Sequence, residues 1–388
     1  MKSTLPLLAL AIGTFAVGTT EFAPMGLLTF IANDLKISIP AAGGLVSIYA
    51  IGVMIGAPLL TLTTGGLNRK TLLLGLMVLF TVGNALAAIA PGYGLLAAAR
   101  VLTALCHGPF FGVGAIVASS LVPADKRGSA VAAMFMGLSI ANVGGVPLAT
   151  WIGQYIGWRV AFGGIAALGL LTLAAVQLAL PKTGSGGAID MASEIRVTLR
   201  PAVLLALVTT VVGSGAMFTV FTYITPILQT QTHGSPAFIT AMLVIFGLGL
   251  TLGNYLGGRF ADKALRMTLV VVLAALALLL VVFAITMKGP VMAAVTIFAW
   301  GMATFALVPA LQSRVMLVAG DAPNLASAVN IGAFNLGNAV GAALGGAVIS
   351  GGLGYPAVSL AGAGVAAAGL VLVLAARWNA PAAAAVRT

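Results

Sequence analysis

The chain has 388 residues, of which 61% are hydrophobic and 6% charged, with a formal net charge of +11. Soluble domains carry about 25% charged residues, so this composition excludes a soluble globular protein and predicts an all-α membrane protein in a lipid bilayer. The positive charge does not indicate a nucleic-acid partner, because the basic residues lie in short segments between apolar runs, where they set membrane topology.

The first apolar run, residues 5–32, contains one ionisable side chain, Glu21. The run is long enough to cross a bilayer, which takes about 20 residues, and we expect it to be retained as the first helix. A charge near its middle costs about 2.5–3.5 kcal/mol unless the group faces a cavity, meets a partner or binds a proton. Glu21 is therefore a candidate functional residue. The alternative is a carboxyl held neutral by the hydroxyls of Thr19 and Thr20, with no role in function.

Twelve apolar runs follow one another along the chain. They cover residues 5–32, 41–63, 71–90, 94–121, 129–154, 158–180, 201–230, 237–258, 268–287, 290–316, 324–351 and 356–376. The longest separator, 181–200, has a Gly-Ser-Gly-Gly stretch followed by charged residues, which is typical of an interfacial linker. We expect it to join an N-terminal six-helix half, 1–180, to a C-terminal six-helix half, 201–388.

Basic residues are distributed unequally between the two sides of the predicted membrane. The side of the N-terminus carries Lys2, Arg69, Lys70, Lys126, Arg127, Lys182, Arg196, Arg200, Arg259, Lys263, Arg266, Arg314, Arg377 and Arg387. The other side carries Lys36, Arg159 and Lys288. This asymmetry predicts that both termini and the central linker are cytoplasmic.

The two halves also resemble each other at an offset of 196 residues, where Asn142 matches Asn338 and Gly145 matches Gly341. Two similar halves in the same orientation predict parallel repeats with a central cavity between them. The alternative is chance similarity among helices rich in Ala and Gly.

Four motifs carry a resemblance to a known family. They are Gly18-Thr-Thr-Glu21-Phe-Ala-Pro24-Met-Gly26, Arg100-Val-Leu-Thr-Ala-Leu-Cys-His107-Gly-Pro-Phe-Phe-Gly112, Gly144-Gly-Val-Pro147-Leu and Gly157-Trp-Arg159. With them the whole chain resembles the major facilitator superfamily, in particular its twelve-helix drug:proton antiporter branch and the bacterial arabinose- and sugar-efflux proteins. The resemblance implies two pseudo-symmetric six-helix halves, a bacterial inner-membrane location, a monomer and no cofactor.

Arg100 and His107 lie seven residues apart in the fourth run and so share a helix face. The resemblance associates Arg100 with proton transfer, and a buried arginine, which has no neutral form, needs a partner such as Glu21. We predict Glu21, Arg100 and His107 as proton-coupling residues. The alternatives are structural pairing for Arg100 and hydrogen-bonded packing for His107. His233 lies in a distant loop, so no metal site is expected.

The resemblance also implies a conformational gate in the loops after the second helix of each half. The first copy keeps Arg69 and Lys70 but has glycine where the family has a carboxylate, whereas the second copy carries Asp262 and Arg266. The fifth run matches the family's export motif at Gly144 and Pro147, where a proline loosens the backbone beside a sliding neighbour. The alternatives are topology-setting charge for the basic residues and ordinary small-residue packing for the fifth run.

Aromatic and amide side chains supply the candidate substrate contacts, since such walls suit an amphipathic or neutral polar ligand. The predicted contacts are Phe110, Asn142, Phe218, Phe221, Tyr223, Trp300, Phe334, Asn335 and Asn338. Further candidates are Phe111, Gln154, Phe246, Phe305 and Gln312.

The sequence therefore predicts a secondary transporter rather than an enzyme or a channel. Its expected activity is proton-coupled efflux of a small amphipathic or polar organic molecule of the drug, sugar or nucleoside type, by alternating access. The alternative on the same scaffold is proton-coupled uptake or facilitated diffusion of a sugar or nucleoside. No nucleophile–base pair, metal cluster, nucleotide-binding loop or filter-like repeat occurs in the sequence.

Overall fold

A computed structural model describes residues 4–64, 66–123, 126–181, 191–320 and 323–376. These residues form helices and connecting turns, with no β-strand in the ranges given. The helices are α1 (Thr4–Leu35), α2 (Ile39–Thr63), α3 (Arg69–Ala88), α4 (Tyr93–Ser120), α5 (Arg127–Ile140), α6 (Val146–Tyr155), α7 (Trp158–Ala179), α8 (Met191–Thr198), α9 (Pro201–Phe221), α10 (Ile224–Thr230), α11 (Pro236–Thr286), α12 (Pro290–Ala319), α13 (Pro323–Ser350) and α14 (Gly354–Ala375). The predicted chain ends and residues 182–190 of the predicted linker lie outside the described residues.

Eleven helical stretches in the described part of the chain are long and apolar enough to cross a membrane. One of them, α11, has 51 residues and bends at Ala264, where φ is −154° and ψ is 70°. At 1.5 Å per residue α11 is about 75 Å long, against about 30 Å of hydrocarbon. It therefore crosses twice, and the prediction of a twelve-helix, all-α membrane fold is confirmed.

Two predicted runs are interrupted inside the membrane. The fifth contains a π-helical turn, Ala141–Gly145, between α5 and α6. Pro147 explains this turn, since it lacks the N–H that would continue the ladder to residue 143. The seventh run breaks between α9 and α10, at Thr222 and Tyr223. The pattern of apolar residues in the sequence gives no sign of either interruption.

Polar side chains at the helix starts fix several boundaries. Ser38 accepts a hydrogen bond from the backbone N–H of Ala41, and Ser235 accepts one from Phe238, both at 3.2 Å. The Asn68 carboxamide oxygen accepts from the backbone N–H of Lys70 at 3.0 Å. Each of these side chains accepts from a backbone N–H that has no partner within the first helical turn.

The two largest apolar cores lie one on each side of the molecule. One includes Leu73, Phe80 and Phe162 and is built from residues before position 181. The other centres on Phe283 and Trp300 and is built mainly from residues after position 215, with a contribution from α1, α2 and α6. The second core therefore joins the two sides at one end. In addition, α2 of the first side packs along α13 of the second, where a Cβ on Gly332 would lie 3.5 Å from the carbonyl oxygen of Met54.

A stripe of glycines joins α11 to α12. Gly249, Gly253 and Gly257 are spaced four residues apart, so they lie on one helix face. A Cβ placed on Gly253 would lie 2.0 Å from the carbonyl oxygen of Met302, and one on Gly257 would lie 2.3 Å from that of Ala306. The two backbones therefore touch, as at small-residue interfaces in membranes.

Candidate functional site

A cavity of about 490 Å³ lies between the two packed sides. Its walls come from α1, α4, α5, α9, α12 and α13. The lining residues are Glu21, Phe22, His107, Phe111, Gly112, Ala115, Phe135, Leu138, Gly213, Ser214, Met217, Phe218, Thr304, Phe305, Leu307, Val308, Leu311, Gln312, Ser327, Ile331, Phe334, Asn335 and Asn338. Phenyl rings dominate these walls, with a few polar groups between them.

The cavity extends toward one face of the molecule. Consecutive helices run antiparallel, so the helix ends near Arg69, Lys126, Arg200 and Arg266 share one face, here called the basic face. The ends near Lys36, Arg159 and Lys288 share the opposite face. The lining residues run from the middle of the helices to Ala115, Gln312 and Ser327, which lie nearer the basic face.

Hydrogen bonds join the two sides of the molecule nearer the opposite face. Thr225 donates to the carbonyl oxygen of Met25 at 2.8 Å, and Thr240 donates to the Gln154 side chain at 3.1 Å. Ser47 donates to the carbonyl oxygen of Ala339 at 3.0 Å. The described conformation is therefore closed by packing at the opposite face, with its cavity toward the basic face.

Glu21 and His107 lie on the cavity wall, where α1 faces α4. The carboxylate Oε2 of Glu21 is 3.9 Å from Nε2 of His107. The other imidazole nitrogen, Nδ1, is 3.0 Å from the hydroxyl of Tyr49 on α2. The structure thus brings two of the three predicted proton-coupling residues together and adds Tyr49, which the sequence reasoning missed.

Arg100 is buried nearly two turns before His107 on α4 and takes a different partner from the one predicted. Its Nη1 donates to the carbonyl oxygen of Thr20 at 2.8 Å, and its guanidinium carbon lies 4.0 Å from the centre of the Tyr49 ring. No ion pair within 4.0 Å joins it to Glu21 among the described residues. Pro24 supplies the reason, because a proline four residues on has no N–H for the Thr20 carbonyl, and Arg100 binds the oxygen that this leaves free.

The hydroxyls beside Glu21 are used elsewhere. Thr19 donates to the carbonyl oxygen of Phe15 at 2.8 Å. Thr20 donates to the carboxamide oxygen of Asn84 at 2.6 Å, and Asn84 in turn donates to the carbonyl oxygen of Phe80 at 2.9 Å. The geometry therefore does not support the alternative in which these threonines hold Glu21 as a structural carboxyl.

The wall opposite Glu21 presents polar atoms without partners. Asn335 donates to the carbonyl oxygen of Ile331 at 2.9 Å, which leaves its carboxamide oxygen buried and unpaired among the described residues. The hydroxyl of Thr304 is also buried and unpaired there. Ser214 donates to the carboxamide oxygen of Asn338. Because buried polar groups are normally paired, the two open positions are suited to a ligand.

The predicted substrate residues divide into two groups. Four of them line the cavity, namely Phe218, Phe334, Asn335 and Asn338, as do the further candidates Phe111, Phe305 and Gln312. Five others lie in helix packing instead, namely Phe110, Asn142, Phe221, Tyr223 and Trp300. The cavity also uses Phe22, Phe135 and Thr304, which were not predicted.

Local contacts explain the second group. Phe221 stacks on Phe246 with ring centroids 4.4 Å apart and meets Trp300 edge-on at 6.2 Å. Tyr223 donates to the carbonyl oxygen of Ala342 at 2.8 Å. These side chains hold α9, α11, α12 and α13 together.

Packing against α1 and α5 accounts for the other two residues of that group. The ring of Phe110 packs so closely on Gly13 that a Cβ on Gly13 would lie 2.2 Å from it. Asn142 donates within its own helix to the carbonyl oxygen of Leu138 at 3.1 Å. Neither side chain reaches the cavity wall in this conformation.

Phe218 and Phe221 give a matched test of this division. Phe221→Ala is expected to cost about 3–5 kcal/mol of stability, since it empties a close-packed aromatic core. Phe218→Ala is expected to cost less and to raise the KM of a transported compound about tenfold, through lost apolar contact. Thermal unfolding and transport kinetics of the two variants check both statements. Equal loss of stability in the two would contradict the division.

The charged gate residues form no ion pair with one another or with another described residue in this conformation. Asp262 and Arg266 are exposed at the bend of α11, and Asp262 makes no ion pair with a described residue. Arg69 is half-buried at the start of α3. Lys70 donates to the carbonyl oxygens of Gln177 and Leu180, each at 2.7 Å, and so caps α7. An open cavity at the basic face is compatible with a disengaged charge latch.

The export-motif residues surround the π-helical turn. Gly144 is exposed and a Cβ there would meet nothing within 4 Å, whereas one on Gly145 would lie 2.3 Å from the Thr19 hydroxyl. On the other side of the turn, a Cβ on Gly247 of α11 would lie 2.3 Å from the carbonyl oxygen of Asn142. The irregular backbone beside Pro147 therefore packs closely on α1 and α11.

Comparison with known proteins identifies the family. The sequence model of the Major Facilitator Superfamily matches residues 10–324. The chain belongs to the major facilitator superfamily. This confirms the resemblance seen in the sequence and makes the chain a multi-pass membrane transporter rather than an enzyme.

Several curated members of the major facilitator superfamily are similar over most of their length. The chain is 55% identical to the inner membrane transport protein YdhP of Escherichia coli K12, over 96% of both chains. It is 34% identical to a chloramphenicol resistance protein of Streptomyces lividans, over 87% of both chains. It is 32% identical to a probable sugar efflux transporter of Haemophilus influenzae, over 87% of this chain and 85% of the relative.

Proposed function

We propose that this transporter exports a small amphipathic or polar organic molecule, of the drug, sugar or nucleoside type, in exchange for protons. In this proposal the protein is a monomer in a bacterial inner membrane with both termini and the basic face in the cytoplasm, and it has no nucleic-acid partner. The observation that carries the proposal is the Glu21–His107 pair on the wall of a cavity that is closed at the opposite face.

The position of Glu21 allows proton and substrate to influence each other. A carboxyl on the cavity wall is open to a proton, and its proton affinity depends on desolvation and on nearby charges and hydrogen bonds. Rocking of the two sides changes the desolvation of the carboxyl and the charges and hydrogen bonds around it. A substrate that binds beside Glu21 in one conformation and a proton that binds in the other would then be exchanged.

Arg100 gives this exchange a mechanical link. It holds the backbone of α1 next to Glu21 through the Thr20 carbonyl, and it is held in turn against Tyr49 of α2. A shift of α1 therefore alters the distances between the carboxylate, the imidazole and the guanidinium together. Such a link suits residues whose task is to bind a proton in one state and release it in the other.

The cavity walls favour an amphipathic substrate. Six phenylalanines supply apolar surface: Phe22, Phe111, Phe135, Phe218, Phe305 and Phe334. The oxygens of Thr304 and Asn335, which have no partner in the described part of the chain, can form hydrogen bonds to a hydroxyl or amide group. Glu21 is the only carboxylate among the described residues that line the cavity, which disfavours a multivalent cation. The printed names of the chloramphenicol resistance and sugar efflux relatives support this class.

Transport by the purified protein in liposomes tests the proposal. With an acidic interior, an antiporter is expected to accumulate a substrate inside the liposome as protons leave. Chloramphenicol, L-arabinose and uridine are the probes, each radiolabelled and supplied separately. Accumulation of any of them above the bath concentration, with matching proton efflux, supports exchange. Accumulation with an acidic exterior instead would indicate proton-coupled uptake, and simple equilibration would indicate facilitated diffusion; either would contradict the proposal.

A further inference from the structure

Tyr49 contacts two of the three predicted proton-coupling residues, His107 and Arg100. Its side chain is 2% exposed and packs against Val53 and Ala104, between α2 and α4. Its hydroxyl is 3.0 Å from Nδ1 of His107, and its ring lies 4.0 Å beneath the guanidinium of Arg100. One side chain thus connects the imidazole to the arginine.

The contact at Nδ1 determines whether Nε2, the nitrogen that faces Glu21, carries the hydrogen of the imidazole. In a neutral imidazole one nitrogen carries the hydrogen, and the partner of the other nitrogen decides which. A hydroxyl that donates to Nδ1 places the hydrogen on Nε2. Nε2 is the nitrogen 3.9 Å from the Glu21 carboxylate, where a donor is needed when the carboxylate is ionised.

The arginine favours this direction of donation. A cation over the face of a phenol ring is attracted by its π-electrons and draws density away from the oxygen. The hydroxyl then becomes a better donor and a poorer acceptor. Among the described residues, the ionisable groups near the imidazole are Glu21 from α1, Tyr49 from α2, and Arg100 and the neighbouring Cys106 from α4. The ring of Phe111, also on α4, lies 5.2 Å from the imidazole, and Phe135 of α5 packs on Phe111.

We propose that Tyr49 is a positioning residue for proton coupling, whose hydroxyl donates to Nδ1 of His107 and holds the Nε2 hydrogen toward Glu21. Tyr49 acts through His107 and need not touch the substrate. This inference rests on the proposed function for its effect on transport, but the contact itself can be tested without any substrate.

Nitrogen NMR of the histidines tests the contact directly. The chain has two histidines, so uniform ¹⁵N-histidine labelling gives a simple spectrum. His233→Asn assigns the signals, since residue 233 is exposed in a loop with φ of 52°, a conformation that asparagine accepts. The wild-type protein is expected to show one tautomer of His107, with its hydrogen on Nε2. Tyr49→Phe is expected to give a mixture of tautomers. A hydrogen on Nδ1 in the wild type, or an unchanged tautomer in Tyr49→Phe, would overturn the proposal.

Transport kinetics test the role. Tyr49→Phe keeps the ring beneath Arg100 and removes the hydroxyl alone, so substrate exchange without a pH gradient is expected to stay within about twofold of the wild type. Transport driven by the gradient is expected to fall about tenfold, as when the hydrogen-bond partner of a functional histidine is removed. Tyr155→Phe, at an exposed tyrosine, is the control and should change neither rate.

A double variant separates positioning from a merely structural effect. If Tyr49 acts through His107, the pair Tyr49→Phe with His107→Asn should be no more impaired than His107→Asn alone. Additive losses would show that Tyr49 acts by another route and would overturn the proposal. A wild type without proton coupling would refute the proposed function instead, while the NMR result would still decide whether Tyr49 orients the imidazole.

Discussion

Glu21→Gln is expected to abolish transport driven by a pH gradient while leaving substrate exchange in place. Glutamine has nearly the same shape as glutamate and keeps an oxygen facing Nε2 of His107, which lies 3.9 Å from the Glu21 carboxylate. It cannot bind and release a proton. The gradient-driven rate is expected to fall about 100-fold or more, as when a proton-transferring side chain is removed. Counterflow of a labelled substrate, which needs no net proton movement, should stay within about threefold of the wild type.

Asp34→Asn supplies a matched control for this change. Asp34 is an exposed carboxylate near the end of α1 that pairs with Arg159 at 2.6 Å. An exposed ion pair contributes about 0–1 kcal/mol, so the variant should fold and transport normally. If Glu21→Gln kept gradient-driven transport at the rate of Asp34→Asn, Glu21 would be a structural carboxyl and the proposed coupling would be wrong.

Gly253→Val is expected to destabilise the protein by forcing α11 away from α12. Its Cβ would lie 2.0 Å from the carbonyl oxygen and 2.8 Å from Cα of Met302, and neither backbone atom can rotate away. The two helices must separate, which also opens the neighbouring contacts of Gly249 and Gly257. Overpacking of this kind costs about 1–3 kcal/mol or more. We expect a lower melting temperature and a smaller yield of monodisperse protein.

Gly258→Val distinguishes close packing from a general intolerance of valine in α11. Gly258 lies one residue beyond the stripe, and a Cβ there would be 3.8 Å from the Pro309 side chain, an ordinary contact. The variant should melt within a few degrees of the wild type. Equal melting temperatures for the two variants would show that the α11–α12 contact is not the tight interface described above.

Much of the fold could be predicted from the sequence because the bilayer imposes simple rules. A chain in hydrocarbon must pair its own backbone groups, so long apolar runs become helices whose ends lie near the charged separators. The cost of burying Glu21 likewise predicts a cavity beside it. Between the runs 237–258 and 268–287 the separator is short, because Asp262 and Lys263 are helical and the break is confined to Ala264.

The choice of cavity residues could not be predicted in the same way. Phe218 and Phe221 lie three residues apart on α9, yet one lines the cavity and the other the aromatic core. In a soluble protein a polar face would show which side of the helix is exposed. Here lipid, core and cavity are all apolar, so the sequence does not reveal which way each ring points.

The partner of Arg100 could have been predicted from the sequence. Pro24 stands four residues after Thr20, which marks the Thr20 carbonyl as a free acceptor in the helix. Tyr49 gave no comparable signal, because a single tyrosine in an apolar run has many packing roles. Its contact with His107 depends on the angle between α2 and α4, which only the fold determines.

The most direct test of the central claim is proton release on substrate binding. A compound that drives transport is added to the detergent-purified protein in unbuffered solution with a pH indicator, for the wild type and Glu21→Gln. If proton and substrate exclude each other through Glu21, the wild type should release up to about one proton per chain, and the variant none, because binding linkage is reciprocal. Saturating binding without proton release in the wild type, or equal release in both proteins, would contradict the account.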